Sequence, residues 1–450
     1  MKHTVTVEKI IASGKGLART AEGQVVMTPF TLSGEKLLLN QEKKTSGYIE
    51  GSIDRILSPS PARITAPCPL YEECGGCDLQ HGSYPEQLRI KKEIVEESLR
   101  RAKIPFEYIS EPFASPMQWG YRNRLRLKIN ASGQLGFFKK KSNTFLLITE
   151  CLVASQGLCS AVTALNKTGM LQPLAQTTTT SLEIELLESP ADGKITLVFR
   201  GNKRNALSPA LLQKLTTLFI MQEIPQVQQI GWFTRKGFQT LSPSAKPLTQ
   251  QILLRKNRQT GQTCSLSWSG GCFSQVNPAQ NEQLIGLVCD FAGDLSGKTV
   301  LDLYCGMGNF SVPLGCCGGT LTGIEGNQES IVWAEKNARK AGISARFFVA
   351  DVRTALQQLV DQGETTDIIL LDPPRSGVGK NIAFLPRLKP KKIIYVSCDP
   401  ATLARDLRLL CSQGYRVTRV VPVDMFPQTS HIESAVLLER SDSFNLKLSD

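Results

Sequence analysis

The sequence predicts a multidomain α/β chain. It has a small N-terminal β-barrel, a central α+β domain around a cysteine cluster, and a C-terminal Rossmann-like domain with a doubly wound parallel sheet. Three observations predict this. The chain has 450 residues, more than one ordinary core organises. Its first 58 residues hold only short strand-like runs. From about residue 297 short apolar strands alternate with helical segments, the pattern of a parallel sheet covered by helices.

In the first region, residues 1–58, the runs VTVEKI, VVMTPF, KLLLNQ and YIEGSIDRIL are separated by Gly, Ser and polar residues. Ser58 to Pro67 reads as a Pro/Ser-rich linker. The second region, residues 59–265, opens with a cysteine cluster and a helical stretch, PEQLRIKKEIVEESLRRA. Hairpin strands follow in YRNRLRLKIN, LGFF and FLLI. Residues 151–265 are mixed, without a motif. In the third region, residues 266–450, the strands are TVLDLY, TLTGIE, ARFFVAD, DIILLDPP and KIIYVSCD. ESIVWAEKNARKAG and PATLARDLRLLCSQG are helices between them, and RVTRVVPVDMF and SAVLLER supply two final strands.

Composition narrows the function. The net charge is +12 and the pI about 9.1, which favours a polyanionic partner such as nucleic acid. No stretch has the apolar length of a membrane helix, and MKHTVTVEKI lacks a signal-peptide core. A cytoplasmic protein without a membrane partner is expected, and a monomer. The 13 cysteines are an odd number, which argues against a disulfide framework and for thiol, metal or catalytic roles. Only three histidines are present, His3, His81 and His431, which excludes histidine-rich metal sites and multi-histidine catalysis.

A ligand site is expected at the carboxyl ends of the parallel strands. Asp302-Leu303-Tyr304-Cys305-Gly306-Met307-Gly308-Asn309-Phe310 ends the first strand and forms the turn after it. Its glycines let a ligand approach the backbone, and no G-x-G-x-x-G is present. Glu325 ends the second strand, suited to ribose hydroxyls. Asp351 ends the third, within reach of an adenine amino group, and Asp372-Pro373-Pro374 ends the fourth. Any one of these acids could simply cap the next helix. Four successive strand ends together point to a nucleoside-type ligand.

Ser397-Cys398-Asp399-Pro400 follows the fifth strand and opens a helix, with Asp399 as N-cap and Pro400 as first helical residue. The helix terminus favours a Cys398 thiolate, and the Asp399 carboxylate opposes it. Cys398 beside a ligand pocket is a candidate nucleophile. Glu433, in His431-Ile432-Glu433 before the last strand, is the candidate base.

Cys68, Cys74 and Cys77 follow C-x5-C-x2-C, with Cys151 far downstream as the fourth member and Cys159 as its rival. Spacing leaves zinc and an iron–sulfur cluster equally open, with metal-free thiols as a third reading. Tyr121-Arg122-Asn123-Arg124-Leu125-Arg126 and Lys139-Lys140-Lys141 are candidates for lining a nucleic-acid path.

The D-x-x-x-G-x-G turn resembles class I S-adenosylmethionine methyltransferases. Gln275-Val276-Asn277-Pro278, DLYCGMGNF, LDPPRSG, YVSCDPATLARDL and DMFPQTSHIES together resemble the RNA uracil-5-methyltransferases. The resemblance implies S-adenosylmethionine contacts from Gln275, Tyr304, Asn309, Glu325, Asp351 and Asp372. It implies Cys398 as the nucleophile that attacks carbon 6 of uracil, and Glu433 as acceptor of the carbon-5 proton. One departure is Asp399, where the family usually has Asn. The N-terminal barrel looks like a TRAM domain, an OB-like RNA-binding module. The cysteine pattern is similar to that of the larger members, which implies a [4Fe–4S] cluster on Cys68, Cys74, Cys77 and Cys151. Both features together are closest to the 23S ribosomal RNA (uracil(1939)-C(5))-methyltransferases. A transfer-RNA enzyme of the same family, an amino-group methyltransferase sharing D-P-P and a non-catalytic iron–sulfur RNA-binding protein are the rivals.

Overall fold

A computed structural model of the chain describes all residues except 178–181, 202–223, 235–236, 242–245, 257–258 and 442–450. The N-terminal barrel is closed and has five strands. They are β1 (Lys2–Ile10), β2 (Lys15–Arg19), β3 (Val25–Pro29), β4 (Lys36–Lys44) and β5 (Ile49–Ser58), in the spatial order β1-β2-β3-β5-β4. Alternation builds it: Val5, Val7, Val26, Leu37, Leu39 and Ile49 are buried in one core while their neighbours along each strand are more exposed. Strand β2 is an addition to the sequence-based expectation. Its sequence KGLAR is too polar and short to signal a strand, and pairing with β1 and β3 imposes the conformation.

The helix Tyr84–Arg101 joins the barrel to the rest of the molecule. Ile90 and Ile94 belong to the barrel core. Val95 and Leu99, about 100° or more further round the helix, belong to the core of the C-terminal sheet. One helix is therefore apolar on two faces, each committed to a different core.

The central sheet contains β6 (Arg124–Ile129), β7 (Leu135–Phe138), β8 (Phe145–Leu147), β9 (Leu182–Glu188), β10 (Ile195–Arg200), β11 (Val227–Thr234) and β12 (Gly237–Thr240). Its order is β12-β11-β10-β9-β6-β7-β8. Helices Gln156–Thr168 and Gln172–Thr177 pack Leu158, Val162, Leu165 and Leu174 against Leu125, Leu127, Ile184 and Leu186 of that sheet. A separate hairpin follows, β13 (Leu248–Lys256) and β14 (Gln259–Trp268). Leu248, Ile252, Leu266 and Trp268 of this hairpin join the C-terminal core with Leu284, Val288 and Phe291 of the helix Pro278–Ala292.

The C-terminal sheet contains β15 (Thr299–Leu303), β16 (Thr320–Glu325), β17 (Ala345–Val349), β18 (Ile368–Leu371), β19 (Lys392–Ser397), β20 (Tyr415–Val423) and β21 (Glu433–Arg440). Its order is β17-β16-β15-β18-β19-β21-β20. The first five strands are parallel, and β21 runs antiparallel to both β19 and β20. The near-continuous apolar runs in β18 and β19 are explained by burial on both faces. Among the described residues no helix is long and apolar enough to cross a membrane.

Candidate active site

The reversed direction of β21 builds the site. Parallel strands bring their carboxyl ends to one edge, and an antiparallel strand brings its start to that same edge. Ser397, the last residue of β19, pairs with Ser434. Cys398 therefore leaves β19 beside Glu433, the first residue of β21. After Cys398, Asp399 caps the helix Pro400–Cys411 by accepting from Thr402 N at 2.8 Å. Both the cap and Pro400 in the first turn are as the sequence implies.

The electrostatics of this corner differ from the simple helix-terminus argument. Burial pushes the Cys398 thiol up to about 11, and the Glu433 and Asp372 charges add to the rise while Arg375 opposes it. Glu433 is 3% exposed. Burial and the Asp372 charge hold its carboxyl well above the usual range, again opposed by Arg375. Burial raises Asp372 to about 7. The free chain thus holds a neutral thiol between two reluctant acids. Asp399, the charge suspected from the sequence, turns its carboxylate to the helix N–H instead. Arg375 in LDPPRSG is a site residue that sequence reasoning misses. Its effect depends on the spatial meeting of β18, β19 and β21, which no linear spacing displays.

The neighbouring turn has the form a nucleoside ligand needs. Tyr304 adopts φ +66°, a left-handed conformation that costs free energy for a non-glycine residue and often marks a functional turn. Gly306 N donates to Glu325 Oε2 at 3.3 Å, and Asn327 N donates to Glu325 Oε1 at 2.8 Å. Asp302 is fully buried; it accepts from the Ser311 hydroxyl, and its Oδ1 has no hydrogen-bond partner in the structure. Asp351 caps the helix Val352–Asp361 by accepting from Thr354 N at 3.1 Å. Asn309 is paired head-to-tail with Asn281 through bonds of 2.9 and 3.0 Å. Gln275 is buried, two residues before the helix-capping Asn277.

Comparison with known proteins supplies the family. The profile described as tRNA (Uracil-5-)-methyltransferase matches residues 83–441. The chain belongs to this family. It is an S-adenosylmethionine-dependent RNA uracil-5-methyltransferase. The 23S rRNA (uracil(1939)-C(5))-methyltransferase of Shewanella amazonensis is 32% identical, over 97% of this chain and 96% of that protein. The enzyme of the same name from Pseudomonas putida is 31% identical, over 97% and 94%. The crystal structure of Pyrococcus abyssi tRNA (uracil-54, C5)-methyltransferase with S-adenosyl-L-homocysteine superposes with a TM-score of 0.71 at 23% identity. It covers 97% of this chain and 99% of that one, and shows that the fold is shared end to end.

In this uracil-5-methyltransferase, Cys68, Cys74, Cys77 and Cys151 line one cavity of about 80 Å³, together with Tyr71, Gln80 and Arg122. Cys159 is buried in the central core and is not among the residues lining that cavity. Burial raises Cys77 to about 12 and Cys151 to about 11, and each of the two also feels a neighbouring cysteine. Among the described residues, no three His, Cys, Asp or Glu side chains are gathered as ligands of a metal ion. The basic segments expected to line an RNA path are largely engaged within the protein. Tyr121 is buried and donates to Pro427 O at 3.0 Å. Arg124 pairs with the buried Glu185 at 2.5 Å. Lys139 pairs with Glu73, and Lys140 lies over the Phe30 ring. Arg126 and Lys141 remain half-exposed or more, at 50% and 68%.

Proposed function

We propose that this enzyme methylates carbon 5 of a uridine in 23S ribosomal RNA, the uracil numbered 1939 in its relatives, through a covalent adduct on Cys398. The observation that carries the mechanism is the β19–β21 register, Ser397 against Ser434, which sets a thiol beside a buried acid. Carbon 5 of uracil is a poor nucleophile. Attack of the Cys398 sulfur on carbon 6 turns the ring into an enolate, and carbon 5 then gains nucleophilic character. S-adenosylmethionine supplies the methyl group from its sulfonium. Glu433 removes the proton from carbon 5, the carbon–sulfur bond breaks, and Cys398 leaves. Asp372 is the next candidate for that base.

Glu325, Tyr304, Asp372 and Gln275 are the residues that would bind S-adenosylmethionine, with Asp351 and Asn309 contributing beside them. The unpartnered Oδ1 of Asp302 and the turn at Gly306 and Gly308 fit such a ligand.

Cys68, Cys74, Cys77 and Cys151 would hold a [4Fe–4S] cluster. Two features of the cavity support this. Thiols crowded in one buried space are poor neighbours once ionised, unless a cationic centre joins them. The buried Nε of Arg122 has no hydrogen-bond partner in the structure and fits an anionic, sulfur-rich group. The cluster's role would be structural or RNA-positioning, since methyl transfer requires no electron transfer.

The barrel would bind RNA, and the enzyme would act as a cytoplasmic monomer. A transfer-RNA substrate is the second reading, favoured by the family description. The test is the RNA itself. Cells lacking the protein should lose 5-methyluridine at position 1939 of 23S rRNA and keep it in tRNA; the reverse pattern would establish the tRNA reading. RNA containing 5-fluorouridine should trap a denaturation-stable adduct, and Cys398→Ala should abolish it.

A further inference from the structure

The loop that carries Glu433 is not self-supporting. Between β20 and β21 the chain runs from Asp424 to Ile432, and Gln428 sits there at φ +71°, a strained conformation for a non-glycine residue. Lys91 holds it at Phe426 O and Tyr121 at Pro427 O, and two segments hold it at Gln428 and beyond. Gln87, on the helix Tyr84–Arg101, accepts from Gln428 N at 2.9 Å and donates to Gln428 Oε1 at 3.0 Å. The segment after Cys77 holds the next residues. Asp78 N and Leu79 N donate to Gln428 O at 3.1 and 3.0 Å. The Asp78 carboxylate accepts from Ser430 N at 2.6 Å and from Ser430 Oγ at 2.9 Å. The barrel closes the junction from the third side. Ser430 Oγ also lies 3.3 Å from Ala12 O. A Cβ on Gly14 would come within 2.4 Å of Asp78 Oδ2, so the packing there leaves no slack.

We propose that Asp78 is a positioning residue for proton removal: by clamping Ser430 through both of its carboxylate oxygens, it fixes the loop that presents Glu433 three residues later. The proposal rests on the reading of Glu433 as the base. The physical reason is selectivity between steps. The Cys398 backbone is carried by β19 and by the helix that Asp399 caps. Glu433 stands at the first residue of β21, where the strand's hydrogen bonds fix only the downstream side. Nearest to it on the upstream side, Ser430 is held by Asp78. Loosening it should therefore impair the last step and spare the first.

The experiment compares Asp78→Ala, Asp78→Asn and Ser430→Ala with the wild-type chain in single-turnover reactions. With 5-fluorouridine RNA, all four should form the adduct at rates within about twofold, because that step needs only Cys398 and the methyl donor. With ordinary RNA, Asp78→Ala should accumulate a methylated protein–RNA adduct and release product about tenfold to a hundredfold more slowly, the scale of a misplaced catalytic group. Asp78→Asn keeps one acceptor for Ser430 N and should recover most of that loss. Ser430→Ala removes only the hydroxyl bond, leaves the cysteine segment untouched and should show a smaller slowing of the same step. Adduct formation and product release that fall together would mean a merely structural role and overturn the proposal. Unchanged release in both Asp78→Ala and Ser430→Ala would overturn it as well. No fluorouridine adduct with the wild-type chain would instead refute the covalent mechanism, and with it the premise of the proposal.

Discussion

Glu433 and Asp372 share a corner in which burial raises both carboxyls, and the Arg375 charge opposes the rise at Glu433. A buried acid whose folded pKa is raised favours its protonated form. Its stabilising effect is complete below the unfolded pKa, about 4.3 for Glu, and is lost as pH rises through the folded value. The site is therefore least stable at the alkaline pH at which Glu433, the proposed base, is ionised. Glu433→Gln should melt at a higher temperature than the wild-type chain at pH 8 and show little difference at pH 4; equal melting at both values would refute the burial argument. The same variant should stall after methyl transfer, with methylated RNA linked to protein that survives denaturation. Cys398 gives the opposite pH signature. With its thiol pushed up to about 11, the thiolate fraction of the free chain should rise roughly tenfold per pH unit through the neutral range. Arg375→Ala removes the one cation that lowers it, so the pH profile for fluorouridine adduct formation should move to higher pH. A profile that stays in place or moves down would show that Arg375 does not act on the thiol.

At the scale of the secondary structure, the parallel strands are legible in the sequence because burial on both faces leaves uninterrupted apolar runs such as Ile368–Leu371. Asp399 is legible as a cap because a short acceptor before Pro is a local signal. Strand β2 is not legible, since its conformation comes from its neighbours. The antiparallel insertion of β21 between β19 and β20 is not legible either: SAVLLER reads as a strand in either direction. Glu433 can thus be named from the sequence as a base, but its adjacency to Cys398 cannot be derived. The cap gives a separable test. Asp399→Ala should destabilise the chain by about 1 kcal/mol through loss of the bond to Thr402 N. Asp399→Asn keeps an acceptor and should leave stability nearly unchanged in thermal melting. It should also leave fluorouridine adduct formation within about twofold, because the charges bearing on Cys398 are Glu433, Arg375 and Asp372. A large gain in adduct rate for Asp399→Asn would show that the carboxylate does suppress the thiolate.

At the scale of the whole molecule, one helix packs into both the barrel core and the core of the catalytic sheet. Lys91, buried on that helix, forms an ion pair with the equally buried Asp424 and donates to Phe426 O at 3.0 Å. Tyr84 adds a hydroxyl to Asp424 at 2.8 Å. Removing one partner of such a pair strands the other charge, at a cost of about 3–5 kcal/mol, so Lys91→Met should lower the melting temperature sharply. The same connection decides how RNA binding by the barrel can be tested. Deleting residues 1–58 would strip Ile90 and Ile94 of their core, and a loss of RNA binding would then be inseparable from misfolding. Surface charge is the cleaner variable. Lys43 and Lys44 are exposed at the end of β4, and the chain as a whole carries a net charge of +12. If the barrel tracks the phosphate backbone, Lys43→Glu with Lys44→Glu should weaken RNA affinity at low salt. The dependence of log affinity on log salt should shrink by about 0.7 for each single-strand phosphate that is no longer neutralised. Affinity for S-adenosylmethionine should not change, because its proposed site is at the carboxyl ends of the C-terminal sheet, outside the barrel. The measurement is RNA and cofactor affinity at two or more salt concentrations. An unchanged salt slope would place the RNA path elsewhere, with the exposed Arg126 and Lys141 as the next residues to replace.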